Sequence, residues 1–437
     1  MMQKLMVSEN KRFLMLQDHT PFFWLADTAW ELLRKLTVQQ TEDYFKKRAK
    51  QGFNVIQTVI LSEFDGLTIP NADGRVPLCK DESGVFRPDK PDISGENNYF
   101  DHIDKVLALA EKYDLYVALV PSWGDKWNLK WGKGPEIFNP DNAFAYGKFL
   151  GQRYKNADNV IWILGGDRPV ETDAQLQIVR RMAEGIKAGG AEQLMTFHPM
   201  GGTSSSDFVQ NEDWLDFNMI QSGHSDAITN TDQMIAADYR KTPVRPVVEG
   251  ECNYEDHPIG FDPVNGFFDD TDVRRASYYA VFTGSFGVTY GHHCVWPMLK
   301  NREDMRYFDF LQKPNYFLMT TFQALERPGA NQMQYLKRLM ESKSFFDRVP
   351  ANDLLAENFG GAQRQVATKG ENYILVYCPF GIPCRLKPLA RPFSAQWMDP
   401  RTGDYLPAKA EQLTDGVQFT PPAAGRNEDF VLVIDFR

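Results

Sequence analysis

The first part of the chain alternates short apolar runs with longer segments in which apolar residues recur at helical spacing. Phe100, Ile103 and Leu107 show the helical spacing, and the run 115–121 that follows them is apolar but too short for a helix. Eight such runs begin near residues 22, 54, 115, 159, 194, 217, 246 and 287. Because strands separated by helices of this length are parallel and joined by right-handed crossovers, the pattern predicts a (β/α)8 barrel, a TIM barrel, over residues 1–350.

Two helix starts and one long connection refine this prediction. Thr37 is followed by Gln40, and Thr172 by Gln175, in the pattern of a capping box. The connection 64–98 is rich in glycine, proline and aspartate and is longer than most loops. We therefore expect it to be functional or an insertion, with a tip that could cover the site.

Beyond about residue 350 the apolar runs follow one another without helical segments between them. Separated by turns rich in proline and glycine, these runs lie at 373–377, 394–398, 417–419 and 430–434. They predict a small antiparallel β-sandwich domain over residues 351–437. Cys378 and Cys384 flank a short turn in this domain and could pair, but isolated buried thiols are the favoured interpretation.

Composition limits the classes of function. The net charge is −10 and lysines and arginines form no run, so no nucleic-acid partner is expected. No apolar run approaches the roughly 20 residues of a membrane-spanning helix, and residues 1–15 lack the apolar centre of a signal peptide. We expect a cytoplasmic protein, or a periplasmic or secreted one whose signal was removed. No metal-ligand spacing or phosphate-binding loop is found, so no metal and no other cofactor is expected.

Two of the predicted strands end in glycine and a carboxylate. The fourth ends in the sequence Gly-Gly-Asp167 and the seventh in Glu249-Gly-Glu251. The carboxyl ends of barrel strands meet at one mouth, so Asp167 and Glu251 are expected to face one pocket. Such a pair suits glycosidic bond cleavage, because one group protonates the leaving oxygen and the other attacks the anomeric carbon or activates water. Glu249 points the same way as Glu251 but lies deeper, so Glu251 is preferred.

Other residues near the strand ends could bind a polyhydroxylated ligand. Aromatic residues make up 13% of the chain, and sugars present C–H faces that stack on indole rings. Trp123, Trp127 and Trp131 recur every four residues after the third strand, where they either stack on a sugar or pack inward. His293 is a further candidate, although each polar residue taken singly is more simply structural. The expected substrate-binding set is Asp27, Trp30, Glu63, Trp123, Trp127, His198, Gln221, His224, Tyr254, Glu255, His292 and Trp296.

Three motifs lie at 22–30 (FFWLADTAW), 160–167 (VIWILGGD) and 249–255 (EGECNYE). In combination they resemble the bacterial glycoside hydrolases of family 140, and the resemblance spans nearly the whole chain. It implies a (β/α)8 barrel followed by a β domain with a collagen-binding label, which nothing in the sequence of the final domain supports. Matching the motifs implies that Asp167 is the acid/base and Glu251 the nucleophile. Related barrels often carry a glutamate after asparagine where this chain has a glycine before Asp167.

The resemblance also implies an activity and a location. The expected enzyme is an apiosidase that cleaves apiose linked to rhamnose in the pectin rhamnogalacturonan-II. The expected location is the periplasm of a Bacteroides-like gut bacterium.

Two functional hypotheses follow. In the first, the protein is a retaining glycosidase acting on a plant cell-wall glycan, with Glu251 as nucleophile and Asp167 as acid and then base. In the second, the barrel is catalytically inactive and binds carbohydrate, with its tryptophans stacking on the glycan and its carboxylates accepting hydrogen bonds from hydroxyl groups. A protease acting on collagen would need a nucleophile or metal site, and we recognise none in the sequence.

Overall fold

The computed structural model describes residues 2–301, 303–304 and 313–437, and its first domain is built on eight parallel strands. They are β1 (Trp24–Thr28), β2 (Val55–Leu61), β3 (Tyr116–Ser122), β4 (Val160–Gly165), β5 (Met195–His198), β6 (Asn218–Gln221), β7 (Val247–Glu249) and β8 (Gly287–Tyr290). In the order β5-β4-β3-β2-β1-β8-β7-β6, each strand forms a parallel ladder with the next. The ring is completed where the Asp216 N–H donates to the Met195 carbonyl at 2.9 Å. The predicted (β/α)8 barrel is confirmed.

Seven longer helices surround the strands in the described part of the chain. They are α1 (Val38–Lys50), α2 (Tyr99–Lys112), α3 (Pro140–Tyr154), α4 (Asp173–Ala188), α5 (Thr231–Tyr239), α6 (Asp270–Phe282) and α7 (Pro328–Glu341). Both predicted capping boxes are present, at the starts of α1 and α4. The crossover from β5 to β6 differs from the others, because it holds only the short helix Ser206–Val209 and the strand Thr203–Ser204. Two more short helices are Leu32–Lys35 and Thr321–Ala324.

A three-stranded antiparallel sheet, Leu5–Val7, Leu14–Leu16 and Pro21–Phe22, precedes the barrel. Phe22 packs edge-on against Tyr116, the first residue of β3, at 5.2 Å between ring centroids. Inside the same end of the barrel, the buried Trp24 lies 5.9 Å from the ring of Phe217 and 6.2 Å from that of Phe286. Aromatic packing therefore fills the N-terminal end of the barrel. The cavity described below lies at the opposite end.

The long connection 64–98 forms a hairpin of its own, Leu78–Lys80 with Phe86–Pro91. The second strand of this hairpin packs against α3 on the outside of the barrel. Of the residues in this connection, all of which the structure describes, Phe64 alone lines the large cavity described below. The expectation that its tip covers the site is therefore wrong.

The second domain consists of two antiparallel sheets. The larger has the strand order β9 (Val349–Pro350), β10 (Val366–Lys369), β11 (Tyr373–Cys378), β17 (Phe430–Phe436), β13 (Phe393–Met398) and β14 (Tyr405–Pro407). The smaller has the order β12 (Cys384–Leu386), β16 (Gly416–Phe419) and β15 (Ala410–Leu413). Cys378 and Cys384 are both buried with free thiols in the core between the sheets. The two layers confirm the predicted β-sandwich.

The larger sheet packs against the barrel with its other face. Along β11, Ile374 and Val376 point into the sandwich core, whereas Tyr373, Leu375 and Tyr377 belong to the core shared with the barrel. This division follows from the alternation of side chains along a strand. Both faces of the sheet are therefore covered, which explains the continuous apolar sequence of β11.

A buried ion pair joins the two domains. The Arg274 guanidinium on α6 donates to both carboxylate oxygens of Asp429, at 3.0 and 2.8 Å, and both side chains are fully buried. The Tyr377 hydroxyl donates to the same carboxylate at 2.9 Å. Removing Asp429 leaves the buried guanidinium with Asp270, at 2.6 Å, as its remaining charged partner.

We predict that Asp429→Asn lowers the free energy of unfolding by about 3 kcal/mol, because Arg274 then remains buried without its bidentate acceptor. Guanidinium denaturation followed by circular dichroism measures this loss. Arg426→Gln is the matched control, because Arg426 pairs with Asp269 across the same interface but is 54% exposed. The control should lose less than about 1 kcal/mol. Equal losses in the two variants would contradict the importance of burial at this pair.

Candidate active site

A cavity of about 550 Å³ opens at the C-terminal ends of the barrel strands. All eight strands, or the loops that follow them, contribute to its wall. In chain order the contributing residues include Trp30, Glu63, Trp123, Asp167, Met200, Gln221, Glu251 and His293. Asp167 and Glu251 therefore face one cavity, in the way the strand-end pattern predicts.

Glu251 lies two residues beyond β7 and is almost fully buried. Its Oε1 lies 3.0 Å from the Nε2 of His224 and accepts a hydrogen bond from the Gln221 amide at 3.2 Å. Its Oε2 lies 3.1 Å from the Nε2 of His198. Three side chains from the ends of β5 and β6 thus surround one carboxylate.

The backbone determines which nitrogen of each histidine carries the proton. The Asp167 N–H donates to the Nδ1 of His198 at 3.3 Å, and the Tyr254 N–H donates to the Nδ1 of His224 at 3.3 Å. Each Nδ1 is therefore an acceptor, so in the neutral imidazole the proton lies on Nε2. The Nε2–H of His224 is thereby directed at Oε1 of Glu251. The Nε2 of His198 makes a close polar contact with Oε2 that lacks the geometry of a hydrogen bond.

These contacts determine the protonation state of Glu251. Burial acts to raise its pKa, but the contacts from His198 and His224 outweigh burial and lower the pKa to about 2. Glu251 is therefore ionised at every pH at which the protein would normally work. An ionised carboxylate that faces a cavity can attack an electrophilic carbon or activate a water molecule.

Asp167 follows β4 after two glycines in left-handed conformations. Gly165 has φ +93° and Gly166 has φ +101°, and Asp167 itself has φ +55°. A Cβ atom on Gly165 would lie 2.5 Å from the carbonyl oxygen of His198, so a larger residue does not fit. The glycines let the chain turn sharply, and the turn brings Asp167 to the mouth of the barrel.

The Asp167 carboxylate is held by two donors. Its Oδ2 accepts a hydrogen bond from the Trp131 indole N–H at 3.1 Å and one from the Arg168 guanidinium at 3.1 Å. Burial nevertheless raises its pKa, and the charge of Glu251 raises it further, against the lowering effect of Arg168. The two carboxylates of the cavity therefore have pKa values shifted in opposite directions, as the acid and the nucleophile of a glycosidase require.

Glu63 is a third carboxyl group on the cavity wall. Its Oε1 lies 3.4 Å from Arg168, whose side chain is fully buried. Burial raises the pKa of Glu63 to about 8; Arg168 opposes this shift, while the charges of Asp125 and Asp167 add to it. Its raised pKa favours the protonated form of Glu63, in which the carboxyl group can donate a hydrogen bond to a ligand.

Glu249, the alternative to Glu251, is fully buried beneath the cavity. It accepts hydrogen bonds from the backbone N–H groups of Ser222 at 3.3 Å and Glu251 at 3.1 Å, and from the Thr231 hydroxyl at 3.2 Å. Burial raises its pKa to about 7. Its contacts order the ends of β6 and β7, and Glu251 is the residue of the pair that reaches the cavity.

Most of the expected substrate-binding residues lie at the cavity. His198 lies beneath Glu251, with its ring 5.2 Å from that of Trp30 and 5.8 Å from that of Trp123. The residues that line the wall directly are Trp30, Glu63, Trp123, Gln221, His224, Tyr254 and Trp296.

Asp27 and Trp127 lie outside the cavity, contrary to expectation. The Asp27 carboxylate points into the helix layer, where it accepts hydrogen bonds from Tyr44 and from Arg48, both on α1. The Trp127 indole donates to the Gly165 carbonyl at 3.3 Å and packs in the core between strands and helices. Asp27 faces the helix layer because it pairs with Arg48, which lies 21 residues later in the sequence. Trp127 points inward because it follows a 3-10 turn at Gly124–Lys126.

Glu255 and His292 also lie outside the cavity. Glu255 accepts hydrogen bonds from the Tyr290 hydroxyl at 2.7 Å and from the Gly329 N–H at 3.2 Å, at the start of α7. The Nε2 of His292 lies 3.0 Å from the Asp256 carboxylate. In each case the neighbouring residue faces the cavity instead, Tyr254 before Glu255 and His293 after His292. Each prediction misses the cavity-lining residue by one position, because the side chains of successive residues in an extended chain point to opposite sides.

The predicted set lacks several residues that line the cavity: Phe64, Trp131, Ser222, Asp226, Asn230, His257, Phe261 and Tyr316. Most of them lie on long loops after β6, β7 and β8, whose conformations no local sequence pattern specifies. Trp131 is one of the three regularly spaced tryptophans in the loop after β3, and this spacing was the sequence signal that could have placed it at the cavity. Of those three tryptophans, Trp123 and Trp131 face the cavity and Trp127 packs inward.

No helix among the described residues is long and apolar enough to cross a membrane. Within the same residues, no group of three or more His, Cys, Asp or Glu side chains has a geometry that would hold a metal ion.

A family model described as "Apiosidase-like, catalytic domain" matches residues 8–347. The chain belongs to the apiosidase-like family. A second model, described as "Putative collagen-binding domain of a collagenase", matches residues 349–435. No curated protein matches the chain.

Two solved structures are similar to this apiosidase-like chain over nearly its whole length. One, named a glycoside hydrolase, is 31% identical, with 99% of this chain and 97% of the other covered and a TM-score of 0.85. Another, a glycoside hydrolase of family 5 from Bacteroides vulgatus, is 30% identical, with 99% and 92% covered and a TM-score of 0.85. The predicted enzyme class, glycoside hydrolase, is confirmed at this level.

We predict that His224→Phe moves the acidic limb of the kcat/KM pH profile to higher pH. The carboxylate must be ionised to act, so activity is lost as the pH falls through its pKa. Without the His224 donor, burial is less opposed and the pKa of Glu251 rises. His102→Phe is the control, because His102 lies on α2 with Asp73 as its partner. An acidic limb that stays at the wild-type pH in His224→Phe would contradict the role of His224.

Proposed function

We propose that this protein is a retaining apiosidase of glycoside hydrolase family 140, which releases apiose from side chains of rhamnogalacturonan-II. The observation that carries the proposal is the pair of carboxylates at one cavity with opposite pKa shifts, lowered for Glu251 and raised for Asp167. The name of the matching family model supports the choice of sugar.

In the first chemical step, an ionised Glu251 oxygen attacks the anomeric carbon of the bound sugar. The bond from that carbon to the leaving oxygen breaks, and the leaving oxygen takes the proton of Asp167. The product is a glycosyl ester on Glu251 and an ionised Asp167. The raised pKa of Asp167 favours the protonated form that this step needs.

The second step reverses the roles. Asp167 takes a proton from water, the water oxygen bonds to the anomeric carbon, and the ester bond to Glu251 breaks. In the intermediate, Glu251 carries no charge, so it no longer raises the pKa of Asp167. The pKa of Asp167 therefore falls when it has to act as a base, and it rises again when Glu251 is released.

The remaining wall supports a neutral sugar as the substrate. Its aromatic side chains, including Trp30, Trp123 and Trp296, offer apolar faces for C–H groups. Its polar groups include Gln221 and His224 and the carboxyl groups of Glu63 and Asp226. A cell-wall glycan lies outside the cell, so we place the protein in the periplasm or outside the cell.

We expect wild type to release a single sugar, apiose, from rhamnogalacturonan-II fragments, identified by anion-exchange chromatography. Asp167→Asn and Glu251→Gln should each lower the rate by roughly 100- to 10,000-fold, because each removes a group that acts in the transition state. Glu249→Gln is the matched carboxylate control, expected to keep far more activity than Glu251→Gln. No release by wild type from any plant glycan would contradict the proposal and favour the carbohydrate-binding hypothesis.

Azide distinguishes the roles of the two carboxylates. In Asp167→Ala, azide should attack the glycosyl ester and give a glycosyl azide of retained configuration. In Glu251→Ala, azide should occupy the space of the missing carboxylate and give the inverted configuration. Proton NMR of the anomeric product measures both. The opposite pattern would exchange the two roles, and a wild-type product of inverted configuration would rule out retention.

A further inference from the structure

Trp131 lies in the loop after β3 and contacts Asp167 directly. Its indole N–H donates to the Oδ2 of Asp167 at 3.1 Å, and its own carbonyl accepts a hydrogen bond from Arg168 at 2.6 Å. The Arg168 guanidinium lies over one face of the Trp131 ring, 4.3 Å from the ring centroid. The loop from β3 and the turn after β4 are therefore joined through these three residues.

The neighbouring backbone is adapted to this arrangement. Gly132 has φ +92°, and a Cβ atom there would lie 2.9 Å from an Arg168 Nη2 atom. Arg168 is fully buried and also donates to the Asp167 carbonyl at 2.7 Å. A side chain at position 132 would displace the guanidinium, so the contact between Trp131 and Arg168 depends on this glycine.

Trp131 is also open to a ligand. It lines the cavity and is 39% exposed although the guanidinium covers one of its faces. A catalytic acid donates its proton to the leaving oxygen, so a residue bonded to the acid borders the leaving-group sugar. Indole faces stack on the C–H faces of sugars.

We propose that Trp131 is a positioning residue that couples binding of the leaving-group sugar to the orientation of Asp167. The uncovered face of its ring stacks on the leaving-group sugar, while its N–H holds the acid in reach of the leaving oxygen. The inference rests on the proposed function for the sugar, but the bond between the indole and the acid can be tested without a substrate.

The first test is an NMR titration of the indole N–H resonances, of which the nine tryptophans of the chain give at most nine. The Trp131 resonance is assigned by its absence in Trp131→Phe. It should shift with pH in wild type as Asp167 titrates, and this shift should vanish in Asp167→Asn. The Trp214 resonance is the matched control, because that indole donates to Glu212 at 3.2 Å. A Trp131 titration that is unchanged in Asp167→Asn would overturn the proposal.

The second test compares two substitutions on a glycan oligosaccharide and on a dinitrophenyl glycoside of the same sugar. Trp131→Phe keeps a ring but loses the N–H, so kcat on the oligosaccharide should fall roughly 10- to 100-fold, as for one hydrogen bond to a charged group, with little change in KM. Trp131→Ala should also raise KM for the oligosaccharide. Trp131→Phe should stay close to wild type on the dinitrophenyl glycoside, which needs no proton.

The pH profile gives a readout that a purely structural role would not move. The hydrogen bond from Trp131 favours the ionised form of Asp167, so its loss in Trp131→Phe should move the basic limb of kcat/KM to higher pH. Trp214→Phe should leave both limbs unchanged. The inference would be overturned if Trp131→Phe lowered kcat equally on both substrates and left the basic limb at its wild-type pH. Inactive wild type on every glycan would instead reject the proposed function, with the NMR titration still deciding the bond to Asp167.

Discussion

The active site depends on keeping one buried carboxylate ionised. A carboxylate without partners in this position would bind a proton, because burial penalises the charged form. Glu251 avoids this because His224 and Gln221 direct polar hydrogens at its Oε1, and the Nε2 of His198 lies 3.1 Å from its Oε2. Backbone N–H groups that donate to the Nδ1 atoms of the two histidines orient both rings toward Glu251. The ionised state of Glu251 therefore depends on the path of the chain at the end of β4 and after β7.

The same arrangement connects the two carboxylates that we propose to be catalytic. His198 contacts Glu251 with one nitrogen and the backbone of Asp167 with the other. Asp167 is placed by the two glycines before it, and its carboxylate is held by Arg168 and by the indole on the neighbouring loop. A displacement of this turn would affect both carboxylates.

Much of the fold could be predicted from the sequence because its signals are local. Capping residues, the lengths of apolar runs and glycines at strand ends all act within a few positions, and the convergence of barrel strand ends placed Asp167 and Glu251 at one cavity. Proximity to a strand end did not decide between neighbouring residues, because Glu255 and His292 turn away whereas Tyr254 and His293 face the cavity. It also did not decide the direction of Asp27, whose carboxylate is bound by Arg48 on α1. The contacts of Arg168 depend on two loop conformations that no periodicity reveals.

The most direct test of the account is the identity of the residue that carries the sugar during the reaction. An Asp167→Gly variant, which lacks the base for the second step, would be mixed with a dinitrophenyl glycoside and quenched in acid. The protein would then be digested, and the masses and fragment ions of its peptides would be measured by mass spectrometry. We expect the mass of one sugar on the peptide that contains Glu251, with fragment ions assigning it to that side chain. A sugar on Glu249 or on Glu63, or a full turnover without any modified peptide, would contradict it.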